Sequence, residues 1–128
     1  SSLKNDQSVP CSAIPEFVAR GAVLVDAIVA GARAVPFGHI GDGNIHFNVW
    51  RPESMPAAEF TAHWPTLVRA LEDLAMDLNG SIAAEHGIGS SKRHALGRVR
   101  DPVAVDLMRD IKRTLDPHGR LNPGKVVP

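Results

Sequence analysis

Residues Gly38–Asn48, with the sequence GHIGDGNIHFN, contain the clearest fold signal in this chain. Asp42-Gly43 predicts a tight turn, because such turns require a positive φ that Gly and Asp tolerate best. Apolar runs flank the turn on both sides, so the segment is typical of a β-hairpin. We expect its two strands at Arg33–Gly38 and Ile45–Trp50.

Side chains of two kinds alternate along the second predicted strand. Asn44, His46 and Asn48 share a polar face, and the residues between them are apolar enough to enter a core. His39 lies seven residues before His46, which on one straight strand would put the two imidazoles on opposite faces. Because the chain folds back at the turn, both imidazoles can reach the same end of the hairpin.

Length and composition predict one globular domain over residues 1–128. The chain has 128 residues, 44% hydrophobic and 22% charged, which is enough for a single core. Its net charge is zero, which favours neither nucleic acid nor an anionic membrane as a partner. Cys11 is the only cysteine, which excludes a disulfide framework and a cysteine-based zinc site. Since no apolar run has the length of a membrane span and no signal segment opens the chain, we expect a cytoplasmic protein.

Apolar periodicity predicts three helices, at Ile14–Ala30, Ala57–Leu78 and Pro102–Leu115. Pro65 lies inside the second helix and either kinks it or marks its true start. A short strand is expected at Ser81–Ala84. The inward face of the third helix is expected to consist of Val105, Leu107, Met108, Ile111 and Leu115.

The order of these elements predicts an α+β fold of the ferredoxin-like, split βαβ type. In that fold an antiparallel sheet has its helices on one face, and here a C-terminal helix follows. The opposite face of the sheet is either exposed to solvent or covered by something outside this sequence. Tyr is absent and aromatic residues total 5%, too few to stack a base or a flavin ring unaided.

Three side chains have the chemistry of a metal site. His39, His46 and Glu85 would offer two imidazoles and a carboxylate, a common set for a divalent transition metal that keeps positions open for substrate. The alternative is that the two histidines only hydrogen-bond to local backbone at the turn. His86 follows Glu85 directly and is either a general base or a surface histidine.

Four segments together resemble the C-terminal domain of FAD-linked oxidases, in the group of D-2-hydroxyglutarate dehydrogenase, D-lactate dehydrogenase and glycolate oxidase. They are GHIGDGNIH at residues 38–46, AEHGIG at 84–89, LDP at 115–117 and LNPGK at 121–125. The resemblance runs through essentially the whole chain, in order. It implies an oxidoreductase whose N-terminal domain, absent from this sequence, binds FAD, while this part caps the flavin ring and holds the substrate.

The resemblance also implies roles for individual residues. His39, His46 and Glu85 would bind a divalent metal, zinc or alternatively manganese or iron, that chelates a 2-hydroxy acid and lowers the pKa of its hydroxyl group. His86 would take the hydroxyl proton while a hydride leaves C2 for the flavin. The substrate-binding residues would be Lys4 and Asn48, and a flavin-side contact would come from Asn122.

The expected partners are a small 2-hydroxy acid and the FAD-binding domain of the same parent protein, with no nucleic acid and no membrane span. A homodimer stays open, and this chain alone is expected to be inactive. One alternative is a stand-alone ferredoxin-like module that binds a metal or ligand without redox activity. A metal-dependent hydrolase would need the same three residues and a water, but the sequence supplies no oxyanion donors beyond the metal.

Overall fold

The computed structural model describes residues 2–128 and has a mixed α and β architecture. The strands of the described part are β1 Ser2–Leu3, β2 Asp6–Ser8, β3 Arg33–His39 and β4 Asn44–Trp50. Its α-helices are α1 Ile14–Ile28, α2 Ala57–Ala62, α3 Trp64–Asp77, α4 Arg93–Val99 and α5 Pro102–Leu115. The strands form one antiparallel sheet, which confirms the predicted α+β, ferredoxin-like class.

Contacts between residues divide the chain into two compact units. The first ends at Glu85 and contains the whole sheet with α1, α2 and α3. The second runs from His86 to Pro128 and contains α4, α5 and the C-terminal tail. The expected single domain over residues 1–128 therefore stays a prediction. None of the helices within residues 2–128 combines the length and the apolar character that crossing a lipid bilayer requires.

Strand β4 is the central strand of the sheet. β3 pairs with it antiparallel along its whole length and ends with His39 opposite Asn44. β1 and β2 pair one after the other with the second edge of β4, where Asp6 lies opposite His46. Most side chains of β4 therefore have neighbours on both flanking strands, and these pairings determine what each side chain faces.

The core of the first unit lies on the apolar face of β4. Phe47 is completely buried there and meets the ring of Phe17 in α1 edge to face, with the centroids 5.6 Å apart. Leu67 and Leu71 of α3 are buried in the same core. Gly21 lies in the middle of α1, where a Cβ atom would stand 2.7 Å from the Phe47 ring. The close approach of α1 to the sheet thus explains a glycine that helix propensity disfavours.

Most of the predicted elements lie where the sequence places them. β3 and β4 agree with the expected strands to within one residue, and α5 agrees at both ends. The second predicted helix is in fact the pair α2 and α3, which break at His63. Pro65 occupies the first turn of α3, a position that needs no backbone N–H donor. α4 has no counterpart among the predictions, because its short segment lacks a continuous apolar stripe.

Two expectations are wrong. Ser81–Ala84 is not a strand: Ser81 forms an isolated bridge with Ser8, and turns follow it. In α5, Val105 is the one expected inward residue that is buried. The expected inward residues that are more than half exposed are Leu107, Ile111 and Leu115. Helical periodicity identifies an apolar stripe, but it does not tell whether another element covers that stripe.

Candidate functional site

The hairpin connection is a loop over residues 40–43 and not the two-residue turn that the sequence suggests. The Gly43 N–H donates to the His39 carbonyl at 3.1 Å, and the Asn44 N–H donates to Asp42 Oδ1 at 3.1 Å. Gly43 has a φ of +74°, and a Cβ there would lie 1.9 Å from the carbonyl oxygen of Val9. Only glycine fits this position, because both the backbone conformation and the space exclude a side chain.

This loop brings the two predicted histidines together. His39 ends β3 and His46 lies in β4, on the face opposite the core. Their rings are 5.6 Å apart between centroids and meet edge to face. The second ring contact of His46 is with Phe37, its cross-strand neighbour, at 5.1 Å between centroids. The expectation that the hairpin gathers both imidazoles at one end is confirmed.

Glu85 reaches the same place by a different route from the one predicted. The Ser8 N–H donates to the Ser81 carbonyl at 3.0 Å, and the Ser81 N–H donates back to Ser8 at 2.7 Å. This bridge attaches the segment to the outer edge of β2. The turns that follow, with Ala84 at a φ of +46°, then lead the chain to Glu85. The single bridge at Ser81 therefore positions the segment that leads to Glu85, where the sequence predicted a strand over Ser81–Ala84.

His39, His46 and Glu85 form one cluster. Each offers a donor atom, and the three donor atoms all lie within 4.8 Å of one another. A tetrahedral metal with bonds of about 2.0–2.2 Å needs donor atoms about 3.3–3.6 Å apart. His39 and Glu85 are exposed, and His46 is partly buried. The donor set and its spacing therefore fit a divalent metal with open coordination positions.

Asp6 is a member of this site that the sequence reasoning missed. Its Oδ1 lies 2.5 Å from Nδ1 of His46, directly across the pairing between β2 and β4. The comparable pair of His39 with Asp42 is longer, at 3.6 Å, and more exposed. The only sequence signal for Asp6 is its place in an extended segment, since the register with β4 cannot be read from the sequence.

Asn48 and Lys4 share the sheet face of the cluster. Asn48 is two residues beyond His46 on β4, so its side chain points to the same side. Ser2 pairs with Trp50 and Asp6 with His46, which puts Lys4, in the gap between β1 and β2, opposite Asn48. The Phe47 N–H donates to the Asn5 carbonyl at 2.6 Å, so the pairing continues through the gap.

A buried amide lies at the end of this polar face. Asn44 is 2% exposed, and neither polar atom of its side chain has a hydrogen-bond partner among the described residues. It pairs with His39 on one side and with Ser8 on the other. Leaving such a group unpaired costs about 1–3 kcal/mol, so packing alone does not explain an asparagine here.

His86 and Asn122 belong to the second unit. His86 is exposed and begins a loop in which Gly87 and Gly89 have positive φ. Asn122 has a φ of +44° and accepts a hydrogen bond from the Lys125 N–H at 3.2 Å. The Val126 N–H donates to the Gly89 carbonyl at 2.7 Å, so the C-terminal tail holds the loop that follows His86.

Asp116 organises the tail. Its carboxylate accepts from Lys112 Nζ at 2.5 Å and from the N–H groups of Leu121 and Arg120 at 2.9 and 2.8 Å. The hydrogen bond from Lys112, followed by those from the backbone, lowers the pKa of Asp116 from its usual 3.8 to about 2. Asp116 is therefore an ionised anchor for the turn that leads to Asn122.

The antiparallel sheet agrees with the fold expected from the order of the elements, and three side chains that the sequence singled out form one cluster. The family described as FAD linked oxidases, C-terminal domain, matches residues 1–126, and the chain belongs to this family. The resemblance stated from the four sequence segments is thereby confirmed.

Among the proteins similar to this chain is a D-2-hydroxyglutarate dehydrogenase of Xanthomonas citri pv. viticola, 44% identical over 96% of this chain and 26% of that protein. A D-2-hydroxyglutarate dehydrogenase of Stutzerimonas stutzeri is 38% identical over the same shares. The mitochondrial D-2-hydroxyglutarate dehydrogenase of Bos taurus is 36% identical over 98% of this chain and 22% of that protein. The chain thus spans about a quarter of the length of these relatives.

Proposed function

We propose that this chain is the substrate- and metal-binding cap domain of an FAD-dependent dehydrogenase that oxidises a D-2-hydroxy acid to the 2-oxo acid. The observation that carries the proposal is the cluster of His39, His46 and Glu85. Membership of the FAD-linked oxidase family and the names of the relatives support the redox chemistry. In this proposal residues 1–128 act as one domain, and the FAD is bound mainly by another domain of the parent protein.

The proposed metal ligands are His39, His46 and Glu85, and the proposed metal is zinc. The bound metal would act as a Lewis acid on the hydroxyl and carboxylate oxygens of the substrate, and the FAD would be the acceptor of the C2 hydride. Two neutral imidazoles and one carboxylate leave one position on a tetrahedral zinc, and expansion to five ligands would accommodate both oxygens. His39, His46 and Glu85 would fix the position of the metal and thereby the orientation of the 2-hydroxy acid head.

His86 is the proposed general base. Removal of the substrate hydroxyl proton is the one proton transfer that the oxidation needs on this side, and an imidazole suits it near neutral pH. His86 is exposed and follows the proposed ligand Glu85 directly in the sequence. Gly87 and Gly89, with φ of +73° and +53°, give its loop a backbone course that few other residues adopt.

Lys4 and Asn48 are the proposed contacts to the rest of the substrate. They lie opposite each other on the sheet face of the cluster, so a molecule held at the cluster extends over them. The ammonium group of Lys4 suits a second carboxylate, such as that of 2-hydroxyglutarate, and the Asn48 amide suits a hydroxyl or carboxylate oxygen. This pair favours a dicarboxylic substrate over lactate or glycolate.

Asn122 is the proposed flavin-side contact. The hydrogen bonds around Asp116 fix the turn before it, and the bond from Lys125 closes the turn after it. We further propose a cytoplasmic location, as expected from the sequence. The bovine relative, by contrast, is named as mitochondrial.

The experiment that tests the proposal is metal analysis of the full-length protein with three variants. We expect about one zinc per chain in the wild type and loss of it in His46→Ala and Glu85→Ala, because each removes one of three ligands. His63→Ala is the matched control: His63 lies in the same unit, between α2 and α3, and is expected to keep the metal. Equal metal content in His46→Ala and His63→Ala would contradict the proposal.

A further inference from the structure

We propose that Asp6 is the positioning residue for His46, and that its carboxylate holds the imidazole in the tautomer that carries the proton on Nδ1. This inference rests on the proposed function, in which His46 binds a metal. Asp6 would touch neither metal nor substrate in this role. It would act on the site only through the orientation and protonation of one ligand.

The geometry between the two side chains is well suited to this role. Asp6 Oδ1 and His46 Nδ1 are 2.5 Å apart, and the two side chains are only 24% and 20% exposed. Limited exposure reduces competition from water for the same groups. The pairing of β2 with β4 puts the two residues directly opposite each other, so the backbone ladder and not a flexible loop sets their separation.

The chemistry of the pair decides which nitrogen carries the proton. A neutral imidazole has one N–H donor and one acceptor nitrogen, and an ionised carboxylate can only accept. Asp6 therefore selects the tautomer with the proton on Nδ1, in which Nε2 carries the lone pair. The contact of Phe37 with the same ring, at 5.1 Å between centroids, restricts its rotation as well.

The other histidine of the cluster lacks an equally firm partner of this kind. Asp42 Oδ2 lies 3.6 Å from Nδ1 of His39, and the two side chains are 52% and 63% exposed. That distance is too long for a hydrogen bond. The comparison identifies His46 as the fixed member of the cluster and His39 as a member that can adjust when a metal binds.

The first test is the tautomer of His46 in the metal-free, full-length protein with ¹⁵N-labelled histidine. We expect the proton on Nδ1 in the wild type and in Asp6→Asn, whose amide oxygen still accepts. In Asp6→Ala we expect the Nε2–H form to gain population. The signal of His46 is assigned by its loss in His46→Ala.

The second test is zinc affinity, measured by competition with a chromophoric chelator. Loss of a partner that orients a ligand typically weakens metal binding about 10- to 100-fold, which is our expectation for Asp6→Ala. Asp6→Asn should lose less, because it preserves the tautomer. Asp77→Ala is the matched control: Asp77 is an exposed aspartate of the same unit, 3.7 Å from Arg20, and its loss should not alter the affinity.

The outcomes separate this inference from the proposed function. A wild type that binds no zinc refutes the proposed function, and the tautomer measurement then decides the role of Asp6 by itself. The inference is overturned if wild-type His46 carries its proton on Nε2, or if Asp6→Ala leaves the tautomer unchanged. It is also overturned if Asp6→Ala and Asp77→Ala bind zinc equally well.

Discussion

Replacement of Gly43 by alanine should open the hairpin that carries the candidate site. Gly43 has a φ of +74°, and a Cβ atom there would lie 1.9 Å from the Val9 carbonyl oxygen. The Gly43 carbonyl also accepts from the Val9 N–H at 3.0 Å, so the clash falls on a segment to which the loop is hydrogen-bonded. Gly41 is the matched control, because a Cβ there meets no atom within 4 Å.

Three terms contribute to the effect of Gly43→Ala. An L-residue in the left-handed region costs roughly 1–2 kcal/mol. Loss of the hydrogen bond to Val9, as the backbone moves away from the new methyl group, costs about 1 kcal/mol. Residual crowding adds up to about 1 kcal/mol. We therefore expect the free energy of opening the hairpin to fall by about 2–4 kcal/mol.

The assay is hydrogen exchange of the peptide that spans Arg33–Trp50, in the full-length protein. A loss of about 2–4 kcal/mol corresponds to amide exchange that is about 30- to 700-fold faster, provided that exchange follows the opening equilibrium. Gly41→Ala should exchange within about threefold of the wild type, since surface substitutions of this kind change stability by about 0.5 kcal/mol or less. Equal protection in Gly43→Ala and Gly41→Ala would refute the reasoning about Gly43.

Two further predictions concern charge. Asp116→Asn should destabilise the second unit at pH 6, where the wild-type carboxylate is ionised and accepts its hydrogen bonds. Because the pKa of Asp116 is lowered to about 2 in the folded protein, the difference in stability from wild type should shrink as the pH falls from about 4 towards 2. Urea unfolding at pH 6 and pH 3 measures this, and a difference independent of pH would exclude the charge as its source. Lys4→Met should raise the KM for D-2-hydroxyglutarate about 10- to 100-fold, which corresponds to the free energy of a hydrogen bond between charged groups. The KM for D-lactate should change little, because lactate has no second carboxylate. Steady-state kinetics with both acids decides this, and an equal rise for both would contradict a contact between Lys4 and the distal carboxylate.

Local sequence was sufficient to predict the hairpin and to bring together two of the three cluster residues. The turn chemistry of Asp42-Gly43 and the alternation along β4 are both properties of a short segment. His39 and His46 therefore could be placed together without knowledge of the rest of the fold. Glu85 could be named as a third candidate, although its route to the cluster is a single bridge at Ser81 and not a strand.

Relations between distant segments could not be predicted. Asp6 lies 40 residues before His46, and its role depends on a strand register that is set by packing of the whole sheet. The role of Gly21 also depends on a distant segment. The sequence shows it only as a residue that disfavours the helix α1, whereas in the structure the Phe47 ring across the core leaves no room for a side chain there. The exposed stripe of α5 was misassigned because periodicity is a local property and burial is not.

The alternation along β4 separates two kinds of selective constraint within seven consecutive residues. Ile45, Phe47 and Val49 are buried in the core and constrained by its packing, whereas His46 and Asn48 face away from it. A substitution on the outer face therefore need not cost the folding stability that the core provides. Under the proposed function, substrate range should accordingly vary with the residue at position 48, with Ile45, Phe47 and Val49 confined to apolar residues of similar volume.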